Sequence, residues 1–75
     1  IDMVRSRAGV EVALAVREQA DGTLRASMRS SGFDVASVAA RFGGGGHLMA
    51  SGCELDLSGD ETAEVLRAAI EEVWP

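Results

Sequence analysis

"GGGGHLMASG", residues 43–52, places four successive glycines before the chain's one histidine. Whether this run links two units or lies inside one decides the fold. Ordering four glycines costs more backbone entropy than ordering any other four residues. A flexible linker escapes that cost, but it joins units that can each hide a core. Here the preceding piece would hold two strands and a helix and the following piece one strand and a helix, each too small to stand alone. The run is therefore read as part of one domain. Two roles are open to it: a wide turn that needs positive φ angles, or a place where bare main-chain amides converge on an anion.

The flanking periodicities support a single unit. In "GVEVALAVRE" Val10, Val12, Leu14 and Val16 alternate with Glu11, Ala13, Ala15 and Arg17, the pattern of a half-buried strand. After the turn residues Ala20-Asp21-Gly22, Leu24, Ala26 and Met28 alternate with Thr23, Arg25, Ser27 and Arg29, which completes an antiparallel hairpin. The period then changes. Val35, Val38, Ala39 and Phe42 fall on one helical stripe, with Asp34 as N-cap, Gly43 at the left-handed position beyond the last turn, and Phe33 placed to staple against Val38. "HLMAS" is expected to open a short helical turn. Cys53, Leu55 and Leu57 alternate with Glu54 and Asp56 as a third strand, and "SGDE" from Ser58 to Glu61 forms a capping box. The last helix buries Val65, Leu66, Ala69, Ile70, Val73 and Trp74, and Pro75 cannot extend it. The expected fold is α+β: two layers, a small mixed or antiparallel sheet covered on one face by helices, spanning residues 1–75 as one domain.

Composition narrows the class of function. At 47% hydrophobic and 25% charged residues the chain is globular rather than disordered. No apolar run approaches the ~18 residues of a membrane span, and no signal peptide is evident, so a soluble, cytoplasmic protein without membrane partners is expected. The lone Cys53 excludes an internal disulfide and reads as a buried, inert thiol. The net charge of −5 is uneven. Residues 1–47 carry six arginines against five acids, a balance of +1, whereas residues 48–75 carry Arg67 against seven acids, a balance of −6. That acidic half opposes long nucleic acid, and the few aromatic rings leave little for base stacking. One histidine with scattered aspartates offers no converging metal set, and no Gly-x-Ser-x-Gly elbow is present. The chain is expected to bind rather than react, with His47 beside any anion held by the glycines.

The stretch "ASMRSSGFDVASVAARFGGGGHLMASGCEL" resembles the C-terminal, DHH-associated domain of DHH-family phosphoesterases, most closely the nanoRNase and phosphoadenosine-phosphate phosphatase subgroup. The resemblance is carried by the strand end "MRS", the helix closing in Arg-Phe, the four glycines with His47, and the small residues ending at Gly52. It implies a substrate-binding domain that works with a separate N-terminal DHH domain holding manganese or another divalent metal, with no cofactor in this chain itself. It also implies a substrate such as a short oligoribonucleotide, linear or cyclic di-adenylate or 3′,5′-bisphosphoadenosine, and a possible homodimer of the parent protein. Carried over by motif, substrate binding falls to Arg29, Ser30, Ser31, Gly43, Gly44, Gly45, Gly46 and His47, with no catalytic residue. Leu48 stands where the family often has a basic residue, and Ser51 where it often has alanine. The opening Ile1 suggests a domain cut from a longer chain that carried the catalytic part. The alternative is a nucleic-acid-binding module like those of alanyl-tRNA synthetases or RecJ-like exonucleases.

Overall fold

A computed structural model describes residues 2–56 and 58–74. The expectations for Leu57 as a strand residue and Pro75 as a helix stop lie outside these residues. Five strands and two helices run in the order β1 (Asp2–Arg7), β2 (Val10–Glu18), β3 (Leu24–Ser30), α1 (Val35–Ala40), β4 (Gly45–His47), β5 (Ala50–Leu55) and α2 (Gly59–Val73). The strands form one antiparallel sheet ordered β1-β2-β3-β5-β4. The α+β class and the single helix-covered face hold, and two strands join the expected three.

Strand β1 extends the hairpin outward through a two-residue turn in which Ala8 (φ 52°) and Gly9 (φ 81°) both take left-handed angles, the geometry that matches strand twist. Strand β4 replaces the helical turn expected at "HLMAS". His47 and Ala50 pair across a two-residue turn of Leu48 and Met49, so the segment is a hairpin rather than a helix start. The reason is local: a side chain on Gly44 or Gly46 would collide with β5, and their bare backbones let the segment close against Ala50, Ser51 and Gly52.

One face of the sheet carries the core. Val12, Leu14 and Val16 of β2, Ala26 and Met28 of β3, and Cys53 of β5 are almost fully buried against Val35, Val38 and Ala39 of α1 and Leu66 and Ile70 of α2. Phe33 stacks on Trp74 with ring centroids 6.0 Å apart, tying the start of α1 to the end of α2. Burial pushes the Cys53 thiol up from its ordinary range, with the nearby Arg25 charge opposing more weakly. Cys53 is therefore expected to resist a thiol-specific disulfide reagent in the folded protein and to react fully in denaturant; rapid labelling without denaturant would contradict its position.

Both helices start on side-chain caps. Asp34 accepts the Ser37 N–H at 3.1 Å, and Ser58 accepts the Glu61 N–H at 3.1 Å. The Glu61 carboxylate takes the Ser58 hydroxyl at 3.0 Å, and Asp60 and Glu61 sit in the first turn, where the helix dipole favours negative charge. Ser58→Ala should lower stability by about 0.5–2 kcal/mol, readable as a shift in urea midpoint with an unchanged slope.

Candidate functional site

The other face of the sheet is open, and the registers fix which side chains share it. One row crosses all five strands: Val4 opposite Ala13, Ala13 opposite Arg29, Arg29 opposite Ala50, and Ala50 opposite His47. Directly opposed residues of an antiparallel pair project to the same face, so Arg29 and His47 rise from one surface, two strand spacings or roughly 10 Å apart. Between them lies only the methyl group of Ala50. No carboxylate occupies the row. The next row is lined by Asp2, Ala15, Ser27, Gly52 and Gly45, giving a low floor beside the two cationic or donor side chains.

The arginines differ in availability. Arg7 pairs with Glu71, Arg17 with Asp2, Arg25 with Glu54, Arg41 with Glu72 and Arg67 with Glu64, while Arg5 donates to the Val4 carbonyl. Among the described residues, Arg29 alone of the seven has no ion pair or hydrogen bond to its guanidinium. Two shallow grooves flank it, of about 220 and 280 Å³, and share Val4, Ala13 and Arg29 in their walls. A cavity of similar size, about 270 Å³, lies between β1 and α2, but its Arg7 and Arg67 are already paired with acids.

His47 is held in one tautomer. The Met49 N–H donates to His47 Nδ1 at 3.2 Å, which requires a lone pair at that nitrogen and puts the proton of the neutral ring on Nε2. The exposed ring therefore offers an Nε2–H donor on the face that Arg29 occupies. Leu48 and Met49, at the tip of the same hairpin, are also exposed.

The glycines divide by task, and the four amides do not converge. The Gly43 N–H donates to the Ala40 carbonyl at 3.2 Å and the Gly44 N–H to the Ala39 carbonyl at 2.9 Å, closing the end of α1 with Gly43 at φ 80°. A Cβ on Gly44 would stand 2.1 Å from the Gly52 oxygen, so that glycine lets the loop press on β5. A Cβ on Gly46, at φ 142°, would come within 2.8 Å of the Ala50 oxygen and of Ser51 Cα. Gly45 is different: its φ is ordinary and a Cβ there would meet nothing within 4 Å, so the fold places no demand for glycine at this position. It shares the open face with His47.

Ser30 and Ser31 stand close to Arg29 in sequence but are engaged in the frame. The Ser30 hydroxyl donates to the Phe33 carbonyl and lies 3.7 Å from Met49 Sδ. Ser31 Oγ accepts the Glu11 N–H at 2.8 Å, while the Ser31 N–H donates to the Glu11 carbonyl at 2.9 Å. Sequence reasoning missed Gly52, which is buried because the Arg25 guanidinium lies across it; a Cβ there would be 2.6 Å from Arg25 Nη2. The alternation of β3 could have signalled this, since Arg25 and Ser27 share the face of Arg29.

Among the described residues no group of three or more His, Cys, Asp or Glu side chains could hold a metal ion. Among the described residues no helix is long and apolar enough to cross a membrane. The DHHA1 domain family matches residues 1–74.

Proposed function

Since this chain belongs to the DHHA1 domain family, which typically accompanies the catalytic domain of DHH phosphoesterases, we propose that its open sheet face holds the phosphate of a short nucleotide substrate for that domain. The observation that supports this reading is the one unengaged guanidinium, Arg29, set in the same cross-strand row as the Nε2–H donor of His47, with no carboxylate between them. Two donors roughly 10 Å apart suit an extended anion such as a phosphorylated dinucleotide. Gly45 and Gly46 lie beside His47 where a ligand can approach the main chain, whereas Gly43, Gly44, Ser30 and Ser31 keep the two donors in place.

The DHH family is generally metal-dependent, and the donor set described in this chain does not fit a hydrolytic metal. Binding and orientation are the tasks its residues can perform, and no bond-breaking step is assigned to them. The substrate class is a short oligoribonucleotide, linear or cyclic di-adenylate, or 3′,5′-bisphosphoadenosine, and the acidic C-terminal half disfavours long strands. Charge-assisted hydrogen bonds contribute ~1.5–3 kcal/mol each. Association costs offset much of this, leaving millimolar affinity for the chain alone.

Titration of the isotope-labelled chain with 5′-phosphorylated di-adenylate tests the reading. Amide shifts are expected at Gly45, Gly46, His47 and Arg29, with Arg67 and Arg41 unmoved. Shifts centred on the cavity between β1 and α2, or none at ~10 mM nucleotide, would remove it.

A further inference from the structure

We propose that β1 is a self-complementary edge through which two copies of this chain associate, strand against strand about Val4. The inference is independent of the nucleotide reading and begins from the hydrogen-bond phase of the β1–β2 ladder. The N–H and carbonyl of Glu11 both turn toward the β3 side, where Ser31 receives them. Ser6, which faces Glu11, therefore makes no ladder bond to it, and in an antiparallel pair this alternates along the strand. The N–H and carbonyl groups of Asp2, Val4 and Ser6 accordingly point out from the free edge of the sheet.

The usual protections of an edge strand are proline, a bulge, brevity, or charges directed across the edge. Strand β1 has six residues, no proline and a regular register with β2. Its charges are largely drawn back onto its own copy: Asp2 to Arg17 of β2 and Arg7 to Glu71 of α2. One guard remains, Arg5, whose Nη1 donates to the Val4 carbonyl at 3.2 Å. At the centre Val4 is 63% exposed, the most exposed large apolar side chain among the described residues. The opposite edge, β4, is only three residues long.

A second copy fits this edge in one register. Pairing Val4 with Val4 of the other copy, with Asp2 opposite Ser6 and Ser6 opposite Asp2, engages all the outward groups of the three residues. It also keeps the helix layers of both copies on one side. Met3 then faces Arg5, no like charges are directly opposed, and the two valines meet on the open face. A shift of two residues toward the C-terminus would oppose Arg5 to Arg5, and like charges directly opposite are destabilising. A single pair of six-residue strands falls short of a standard interface of ~1,200 Å² or more, so the association is weak.

Sedimentation equilibrium of the chain between ~10 μM and ~1 mM should show the mass rising from one chain toward two. Val4→Pro removes an outward N–H while leaving the bonds to β2, and should hold the chain monomeric. Arg5→Ala removes the guard and should tighten association several-fold. Independently of any variant, the amides of Asp2, Val4 and Ser6 should exchange more slowly at the higher concentration. A single-chain mass at ~1 mM with those three amides still exchanging fast, or a dimer undiminished in folded Val4→Pro, would overturn the proposal.

Discussion

Gly44→Ala is expected to lower the stability of the fold by about 3 kcal/mol or more, because its methyl group has no space to enter. The atoms in its way are the Gly52 carbonyl oxygen at 2.1 Å and Cys53 Cα at 2.8 Å, both backbone, together with Cys53 Cβ at 2.6 Å. None is the far end of a flexible side chain, so the loop must lift from β5. That movement breaks the 2.9 Å bond from the Gly44 amide to the Ala39 carbonyl and loosens α1 from the sheet. A chain of this size has a total stability of roughly 4–11 kcal/mol, so the loss takes about a quarter or more of it and moves the unfolding midpoint well down. Urea denaturation followed by circular dichroism measures the loss. The neighbours supply the scale: Gly43→Ala should cost about 1–2 kcal/mol for its left-handed backbone, and Gly45→Ala within about 0.5 kcal/mol. Equal midpoints for the alanine variants at 44 and 45 would mean that the loop does not press on β5.

That gradient explains what could be read from the sequence and what could not. The β2–β3 hairpin, both helices and their caps were legible because each advertises itself in side chains: alternation from Val10 to Arg17, the Val35-Val38-Ala39 stripe, and Asp34 and Ser58 at the starts. Strand β4 was hidden because two of its three residues are glycines, which carry no β signal; the strand is specified by its partner and by close approach. Strand β1 was hidden for another reason. Its alternation sets Asp2, Val4 and Ser6 against Met3, Arg5 and Arg7, polar on both sides, and its turn uses Ala8 where asparagine would announce a hairpin. Of the candidate site, the position of Arg29 on the uncovered face was legible, since alternation alone sets it there. The row that joins it to His47 was not, because that row runs through β4. The hidden strand also changes the chemistry attributed to the glycines: two of their amides close a helix, and an edge hairpin takes the place of a nest.

Arg29→Ala should weaken binding of a phosphorylated dinucleotide by ~10–150-fold, the equivalent of ~1.5–3 kcal/mol for hydrogen bonds to a charged group. The same change should leave the melting temperature within the small range of surface substitutions, because nothing in the protein leans on this guanidinium. At millimolar starting affinity the loss reads as a fall in the initial slope of the amide shifts, so saturation of the variant is unnecessary. Arg29→Lys keeps the charge without the planar fork and should fall between the two. Raising the salt should narrow the gap between lysine and alanine, since screening acts on the charge at an exposed position. Arg25→Ala is the matched control two cross-strand rows away on the same face. That guanidinium already lies over Gly52 and 3.9 Å from Glu54, so its removal should disturb the floor of the sheet more than the ligand. If Arg25→Ala abolished binding and Arg29→Ala did not, the phosphate would belong over β5 near Gly52 rather than between Arg29 and His47.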